Sequence, residues 1–286
     1  MLVSARVPAT SANLGPGFDC LGLALDIWST VTVRTVEGRG APDPPGGRLV
    51  RQGVQAAFGG KRPPRFEVAW DEAIPLARGL GASAALRAAG LLAGNALLEG
   101  RLGPEDLFRL GAELEGFPDN VSPCLFGGLQ VGVKGREGLI HLGFPLPARL
   151  KVVVFVPDFE MPTQESRRRL PASLSREDAV FNSSRVALLL AALAAERYDL
   201  LDEATQDRLH QPVRGEIFPG LAPIMAGARA AGAVAAYLSG GGSTVAAFVL
   251  DGAEAVAEAM ARAAREHGYS GRSIVTAPTL QGAHLT

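Results

Sequence analysis

A glycine-rich segment, Ile74 to Ala85, constrains the fold of this chain more than any other part of its sequence. An extended apolar run from Phe66 to Trp70 leads toward the segment, and a helical run from Ser83 to Glu99 follows it. A glycine-rich loop that ends at the start of a helix presents unpaired backbone N–H groups, and the helix dipole adds partial positive charge there. Gly79 and Gly81 let a ligand approach the backbone closely. The pattern therefore predicts a phosphate-binding loop.

The loop matches neither of the two common nucleotide-binding signatures. It lacks the Gly-Lys-Ser/Thr ending of a Walker loop and the GxGxxG spacing of a dinucleotide-binding fold. A turn and a helix cap before an Ala-rich core helix would use the same residues. Taken alone, the loop leaves that structural interpretation open.

Two further segments place amide and carboxylate side chains among glycine, proline and apolar residues. They are Val7 to Leu25 and Glu113 to Gly128. An unpaired polar group is costly in apolar surroundings, so a purely structural role would be an unusual use of these residues. Both segments are therefore candidates for a functional site.

These segments and a late glycine-rich loop resemble the motifs of the GHMP kinases, the family that includes galactokinase, mevalonate kinase and homoserine kinase. The four motifs occur in the family's order and spacing: Pro8 to Asp19, Pro75 to Ala85, Glu115 to Pro123, and Ser239 to Thr244. The third reads Glu-Gly-Phe-Pro-Asp-Asn-Val-Ser-Pro and is most similar to the homoserine kinase branch. The resemblance spans nearly the whole chain.

The resemblance implies an α+β fold of two domains, an N-terminal ribosomal-protein-S5-like α/β domain and a C-terminal ferredoxin-like α+β domain. The length of 286 residues suits two domains that each bury a core. Because the pattern restarts around Pro145 to Pro147, we predict domains of residues 1–146 and 147–286. The β-α-ββ-α-β order of the second half independently favours a ferredoxin-like sheet.

Composition and charge narrow the class of partner. The net charge of −1 gives no chain-wide basic field for nucleic acid. No apolar run approaches the roughly 18–20 residues that a membrane-spanning helix needs. The start, Met1 to Arg6, is typical of a strand and not of a signal peptide, so we expect a cytoplasmic protein. Cys20 and Cys124 have no metal-binding spacing, and the four histidines lie far apart. The sequence leaves the oligomeric state open, a homodimer included.

By the resemblance, ATP is bound by the glycine-rich loop: Pro75, Leu76, Ala77, Arg78, Gly79, Leu80, Gly81, Ala82, Ser83, Ala84 and Ala85. Mg²⁺ takes hard oxygen ligands and often only one or two from the protein. The resemblance assigns Ser83 and Glu113 to this role. Ala82 stands where the family usually has a first serine, which leaves Ser83 as the only hydroxyl of the loop. From the residues alone, Ser83 could equally cap its helix and Glu113 could be a surface charge.

The resemblance also places Asn13, Asp19 and Asn120 around the amino and hydroxyl groups of a phosphate acceptor. An aspartate can pair with an ammonium group, and an asparagine can orient a neutral hydroxyl. Mevalonate and galactose kinases have an aspartate, often named as the base, at the position of Asn120. Asparagine cannot accept a proton, so the resemblance implies catalysis by positioning through Asn120 and Asn13. Asp119 remains open as a base.

Two arginines match homoserine kinase segments that bind the substrate carboxylate, Arg167 in Thr163 to Arg167 and Arg214 in Gln211 to Arg214. Arginine suits this role because its guanidinium forms a bidentate fork. Arg168 and Arg169 adjoin Arg167, so its register stays open. Phe117 replaces a histidine that is usual in the family.

The resemblance therefore implies ATP-dependent phosphorylation of the side-chain hydroxyl of L-homoserine, a step of threonine synthesis. Two alternatives remain at this point. One is a GHMP kinase for another small alcohol. The other is a non-catalytic protein of this fold that senses a metabolite.

Overall fold

The computed structural model describes residues 1–38, 40–161 and 163–286, without the side chains of 163–165. The strands are β1 (Leu2–Asn13), β2 (Gly17–Thr35), β3 (Phe66–Trp70), β4 (Leu129–Lys134), β5 (Leu139–Phe144), β6 (Lys151–Pro157), β7 (Ala235–Leu238), β8 (Val245–Val249), β9 (Gly271–Thr276) and β10 (His284–Leu285). The helices are α1 (Gly47–Ala57), α2 (Ala82–Leu97), α3 (Pro104–Glu115), α4 (Val121–Phe126), α5 (Thr163–Arg168), α6 (Arg176–Ala194), α7 (Leu201–Ala204), α8 (Gln211–Ile217), α9 (Leu221–Ala230) and α10 (Ala253–Glu266). No described helix is long and apolar enough to cross a membrane.

The first sheet is built on a long antiparallel pair, β1 and β2. Its strand order is β10-β1-β2-β4-β5, and β3 pairs with the outer part of β2. The register between β1 and β2 shifts at Pro8/Ala9 and again at Ala12/Asn13. Such irregularities re-aim side chains at the end of a strand pair. They lie in the first motif, whose residues therefore form a strand, a tight turn and the start of the next strand.

Helices α1 and α2 pack closely on each other because glycines line their contact. A Cβ atom on Gly53 would lie 2.3 Å from the carbonyl oxygen of Arg87, and one on Gly90 would lie 2.1 Å from that of Val50. Most of α2 is buried and apolar, as expected for a helix covered on several sides. This packing fixes the start of α2, where the glycine-rich loop ends.

The second sheet confirms the ferredoxin-like prediction. Its strand order is β7-β8-β6-β9, with every neighbouring pair antiparallel. In chain order this is the 2-3-1-4 arrangement of a split β-α-β unit. Strands β7 and β8 form a hairpin, in which Ala235 pairs with Phe248 and Leu238 with Val245. Val152, Val153 and Val154 of the central strand β6 are fully buried, as their unbroken apolar run predicts.

One part of the predicted domain division does not fit the structure. The last strand, β10, pairs with β1, with Ala5 opposite Leu285. The end of the chain therefore returns to the first sheet instead of staying with residues 147–286. The division at 146/147 is otherwise still a prediction, and the remaining strands of the two sheets fall on either side of it.

The α1–α2 contact gives a stability prediction. Gly90→Ala should lower the free energy of unfolding by about 1–3 kcal/mol, because the new methyl group meets the backbone of Val50. This loss should exceed the gain of up to about 1 kcal/mol that alanine brings to a helix. Gly215→Ala in α8 is the matched control, since its Cβ would have no neighbour within 4 Å. Urea unfolding should show Gly215→Ala at or above wild-type stability, and equal behaviour of the two variants would contradict the packing argument.

Candidate active site

The glycine-rich loop reaches the start of α2 through two residues of left-handed conformation. Gly79 has φ 78° and Gly81 has φ 67°, a region that favours glycine. A Cβ atom on Gly81 would also lie 1.8 Å from Oγ1 of Thr10, and one on Gly79 would lie 2.3 Å from the carbonyl oxygen of Ser239. Both glycines are therefore required by conformation and by close approach of neighbouring segments.

Most of the loop borders a cavity of about 130 Å³. Of the predicted ATP-binding residues, those that line it are Ala77, Arg78, Gly79, Gly81, Ala82, Ser83 and Ala84. Leu80 and Ala85 instead lie in the core, while Pro75 and Leu76 are half-buried before the cavity. The loop thus combines backbone exposed to the cavity with apolar side chains that anchor it.

The late glycine-rich loop lies directly against the phosphate loop. Oγ of Ser239 donates a hydrogen bond to the carbonyl oxygen of Gly79 at 2.6 Å. The backbone N–H of Thr244 donates to the carbonyl oxygen of Arg78 at 2.9 Å, and that of Gly240 donates to Ala12 at 2.9 Å. Three of the four motifs are therefore joined by hydrogen bonds.

The structure does not bring Glu113, the predicted metal ligand on α3, to the loop. Glu113 lies on the exposed side of the helix, where it pairs with Arg109 at 3.1 Å, and its side chain is 58% exposed. Glu115 faces the loop instead, and its Oε1 accepts a hydrogen bond from Oγ of Ser83 at 2.7 Å. Two residues are separated by about 200° around a helix, so the sequence pattern could not choose between these carboxylates without the packing of α3.

Ser83 and Glu115 together fit a Mg²⁺ site. They offer one hydroxyl and one carboxylate, which are hard oxygen ligands, beside the phosphate loop. Within the described residues there is no cluster of three or more His, Cys, Asp or Glu side chains, so phosphate oxygens and waters would supply the other ligands.

Arg87, which the sequence analysis missed, completes this cluster. Its Nη1 donates to Oγ of Ser83 at 2.8 Å and also pairs closely with Glu115. Its position four residues after Ser83 in α2 places both side chains on one helix face, a signal that the sequence did contain.

A second cavity of about 280 Å³ adjoins the first. Its lining contains the predicted acceptor residues together with parts of two motifs: Asn13, Asp19, Glu115, Phe117, Asp119, Asn120, Arg167, Arg214, Gly240 and Gly241. Glu115, Asn120, Gly240 and Gly241 line both cavities. A group in the acceptor cavity would therefore lie next to a phosphate held by the loop.

The two asparagines of the acceptor cavity have different surroundings. The amide of Asn13 donates to the carbonyl oxygen of Gly240 at 2.9 Å and accepts from the backbone of Asp19 at 3.0 Å. Asn13 therefore holds the first motif against the late glycine loop. Oδ1 of Asn120 accepts from Oγ1 of Thr10 at 2.8 Å, and Asn120 lines both cavities. Asn120 is the better placed of the two to orient a hydroxyl.

Asp19 and Arg167 pair with each other, an arrangement that the sequence analysis did not foresee. Nη1 and Nη2 of Arg167 donate to the two carboxylate oxygens of Asp19 at 2.8 and 2.6 Å. The guanidinium also lies over the ring of Phe117, 3.9 Å from its centroid. The hydrogen bond to Asp19 raises the pKa of Arg167 above its usual range. Arg168 and Arg169 are exposed, so Arg167 is the arginine of this run that faces the cavity.

Arg214 is the largest fully buried side chain of the described residues, at 1% exposure. Its Nη1 donates to Nδ1 of His210 at 2.8 Å and to the carbonyl oxygen of Gly240 at 3.1 Å. Both partners are uncharged acceptors, and its Nε has no partner in the described part of the chain. Burial, followed by the charge of Arg167, lowers the pKa of Arg214 to about 10. A buried cation without a paired anion is costly, so this site favours an anionic ligand.

Asp119 is a buried carboxyl group at the floor of the acceptor cavity, with 7% exposure. Its Oδ1 accepts from the backbone N–H of Asn120 at 3.0 Å. Burial raises the pKa of Asp119 to about 7, and the nearby charge of Asp19 adds to the increase. Its charge can therefore change near neutral pH.

The glycine-rich loop at the start of α2 lies beside a hydroxyl and a carboxylate, and a charged cavity adjoins it. This arrangement is typical of a phosphotransferase that acts on small molecules. Comparison with known families agrees. The profile described as "GHMP kinases N terminal domain" matches residues 48–128, and "GHMP kinases C terminal" matches residues 189–266. The chain belongs to the GHMP kinase family.

Similar proteins extend this result over the whole chain. The chain is 42% identical to a homoserine kinase of Moorella thermoacetica, over 97% of this chain and 98% of the relative. It is 41% identical to a homoserine kinase of Thermus thermophilus, over 94% of each chain. The crystal structure of a homoserine kinase from Cytophaga hutchinsonii superimposes with a TM-score of 0.88 at 27% identity, covering 100% of this chain and 97% of that one. The predicted family and fold class are confirmed.

The raised pKa of Asp119 gives a prediction about stability. Between its ordinary pKa of 3.8 and about 7, the folded protein binds more protons at this group than the unfolded chain does. The contribution of Asp119 to stability therefore falls as the pH rises through this window. Relative to wild type, Asp119→Asn should gain free energy of unfolding from pH 4 to pH 7 and change little above it. Urea unfolding across this range measures the difference.

Asp251→Asn is the matched control, because the side chain of Asp251 is 89% exposed and pairs only at the surface. Its stability should follow the wild-type curve. A constant difference between Asp119→Asn and wild type over the whole range would show that Asp119 titrates normally.

Proposed function

We propose that the protein transfers the γ-phosphoryl group of ATP to the side-chain hydroxyl of L-homoserine, a reaction of threonine synthesis. One observation carries the proposal: the acceptor cavity holds Asp19, Arg167 and the buried Arg214 beside the phosphate loop. One carboxylate and two guanidinium groups are complementary to the ammonium and carboxylate groups of an amino acid. The homoserine kinases to which the chain is similar support the same substrate.

The Asp19–Arg167 pair suggests how such a substrate binds. In the structure, Asp19 and Arg167 are each other's ionic partners. A zwitterionic amino acid can insert its ammonium group at Asp19 and its carboxylate at the arginines, so that each protein charge exchanges one ionic partner for another. Among the described side chains, Arg214 has no anionic hydrogen-bond partner to give up, so its full contribution would go to carboxylate binding.

The phosphate loop would hold ATP through the backbone from Ala77 to Ala84, with Ser83 and Glu115 as the ligands of Mg²⁺. When bound, the metal supplies positive charge that offsets the charge of the transferring phosphoryl group. Arg87 shares its guanidinium between Ser83 and Glu115 and holds these ligands together.

Asn120 would orient the acceptor hydroxyl, since it lies at the junction of the two cavities. Catalysis would then rest on positioning and on stabilisation of the phosphate charge. Asp119 is the second candidate for proton acceptance, because a buried carboxylate with a pKa of about 7 is matched to a base at neutral pH. Loss of all turnover in folded Asp119→Asn would favour the base. Substantial remaining turnover would favour positioning by Asn120.

A single assay distinguishes the proposal from the two alternative functions. Coupled ADP release is measured with L-homoserine, L-threonine, mevalonate, galactose and shikimate. Preference for another alcohol would replace the substrate, and ATP binding without turnover of any acceptor would indicate a sensor. The cytoplasmic location and the homodimer remain predictions beside this proposal.

The proposed metal ligand Glu115 is tested against Glu113 by a pair of variants on one helix. Glu115→Gln should lower kcat by about 10²-fold or more at saturating Mg²⁺, because a charge beside the transferring group is lost. Glu113→Gln is the control and should keep wild-type turnover, since Glu113 points away from both cavities. Thermal unfolding checks that both variants fold. The opposite ranking of the two variants would restore Glu113 as the ligand.

The carboxylate site is tested by the substrate and by the arginines. Loss of a buried ion pair with one partner left unpaired costs roughly 2–5 kcal/mol, so Arg214→Leu should cut kcat/KM for homoserine by about 30-fold to several thousand-fold. The KM for ATP should hardly change, because the phosphate loop is untouched. Wild-type enzyme should reject 3-aminopropanol, which lacks the carboxylate. Efficient phosphorylation of this amino alcohol would show that no carboxylate site operates.

A further inference from the structure

His210 lies at the start of α8 and connects two parts of the acceptor cavity that are far apart in sequence. Its ring is fully buried. Nε2 lies 2.7 Å from the carbonyl oxygen of Gly15, in the turn that leads to Asp19. Nδ1 lies 2.8 Å from Nη1 of Arg214, one helical turn further along α8. The imidazole therefore stands between the turn of the first motif and the buried guanidinium.

The two hydrogen-bond neighbours of the ring determine where its proton lies, and the buried carboxylate of Asp207 is 3.7 Å from Nε2. A carbonyl oxygen only accepts hydrogen bonds, so Nε2 must carry the proton and donate it to Gly15. A guanidinium only donates, so Nδ1 must be unprotonated and accept from Arg214. An imidazolium would place an N–H donor against another donor. Burial lowers the pKa of His210 to about 4, in agreement with a neutral ring.

We propose that His210 is a positioning residue for the substrate carboxylate: it orients the guanidinium of Arg214 in the acceptor cavity and ties it to the turn that carries Asp19. The inference rests on the proposed function, because it assigns Arg214 to the carboxylate of the acceptor. His210 itself does not line the cavity and acts through Arg214.

A neutral acceptor has a specific advantage at this position. A carboxylate beside Arg214 would orient the guanidinium but would also neutralise it and compete with the substrate. The lone pair of an imidazole orients the same group without adding negative charge. The positive charge of Arg214, which lines the acceptor cavity, then remains for an incoming carboxylate.

Two further contacts hold His210, one at its ring and one at its backbone. Phe18 stacks on His210, with 5.2 Å between ring centroids and 29° between the ring planes. The carboxylate of Asp207 accepts from the backbone N–H of His210 at 2.8 Å and of Gln211 at 2.7 Å, and from Nδ2 of Asn182 at 2.7 Å. Asn182 thus supports the same helix start from behind and has no hydrogen bond to Arg214, so it provides a matched control.

Steady-state kinetics of three variants test the proposal. His210→Leu removes both ring hydrogen bonds and should raise the KM for homoserine by about 10- to 100-fold, the usual effect of losing a hydrogen bond to a charged group. The KM for ATP should stay near the wild-type value. His210→Asn keeps an oxygen acceptor near the position of Nδ1 and should recover most of the loss. Asn182→Leu should lower thermal stability and leave the KM for homoserine unchanged. Equal effects of His210→Leu and Asn182→Leu on that KM would overturn the proposal.

The double variant distinguishes action through Arg214 from an independent effect. If His210 acts through Arg214, His210→Leu should cost little more once Arg214→Leu is present. Full additivity of the two losses would contradict the proposal. If His210→Leu does not fold, His210→Gln, whose longer side chain places its amide near the position of Nε2 and leaves Nδ1 without a replacement, takes its place in the same double-variant comparison.

A spectroscopic measurement separates this inference from the proposed function. Two-dimensional ¹⁵N–¹H spectra of the wild-type protein labelled at histidine should show His210 as the neutral Nε2–H tautomer at pH 7, and Arg214→Leu should move its Nδ1 resonance. An Nδ1–H tautomer or a charged ring would overturn the positioning role. A wild-type protein with this tautomer that does not phosphorylate homoserine would instead overturn the proposed function.

Discussion

The arrangement of the site depends on the hydrogen bonds that the carbonyl oxygen of Gly240 accepts. This oxygen accepts from Nδ2 of Asn13 in β1 and from Nη1 of Arg214 in α8. It therefore joins the first sheet to α8, which lies between β6 and β7 in the chain. The backbone N–H of Gly240 donates to the carbonyl oxygen of Ala12, and Oγ of the preceding Ser239 donates to the carbonyl oxygen of Gly79. Both cavities therefore share one wall, and neither the phosphate loop nor the acceptor site can shift without the other.

Charge organises the acceptor cavity in a way that geometry alone does not. Asp19 and Arg167 are only partly buried and neutralise each other, so their pair can be held at little cost until a substrate arrives. Arg214 is buried with no anionic hydrogen-bond partner among the described side chains, and Asp119 is buried with a raised pKa. Under the proposed function, the charge of Arg214 serves the substrate carboxylate, and Asp19 receives the ammonium group by exchanging its partner Arg167.

The sequence could predict the order of strands and helices in the second half of the chain and the segments that form the site, because these depend on local patterns. Strand β3 has the bounds of the predicted run from Phe66 to Trp70, and the helix predicted from Ser83 to Glu99 is α2, Ala82–Leu97. The four motifs also meet, as their shared resemblance implies. The return of β10 to β1 was not predictable, since two residues at the end of a chain carry no periodicity. The pairing of Asp19 with Arg167 spans 148 positions of sequence and depends on tertiary packing. His210 was missed because a single histidine gives no pattern of its own.

The choice between Glu113 and Glu115 shows how much depends on the end of one helix. Helix α3 ends at Glu115, and Gly116 turns the chain with φ 89°, a left-handed residue that terminates the helix. This turn directs Phe117 toward Arg167 and brings Asn120 to the start of the short helix α4. Glu115 is therefore the last helical residue before the chain crosses the site, while Glu113 lies half a turn back on the outer face and is held there by Arg109. The packing of α3 thus places the carboxylate of Glu115 beside Ser83, and the left-handed glycine that follows turns the chain so that Asn120 lines both cavities.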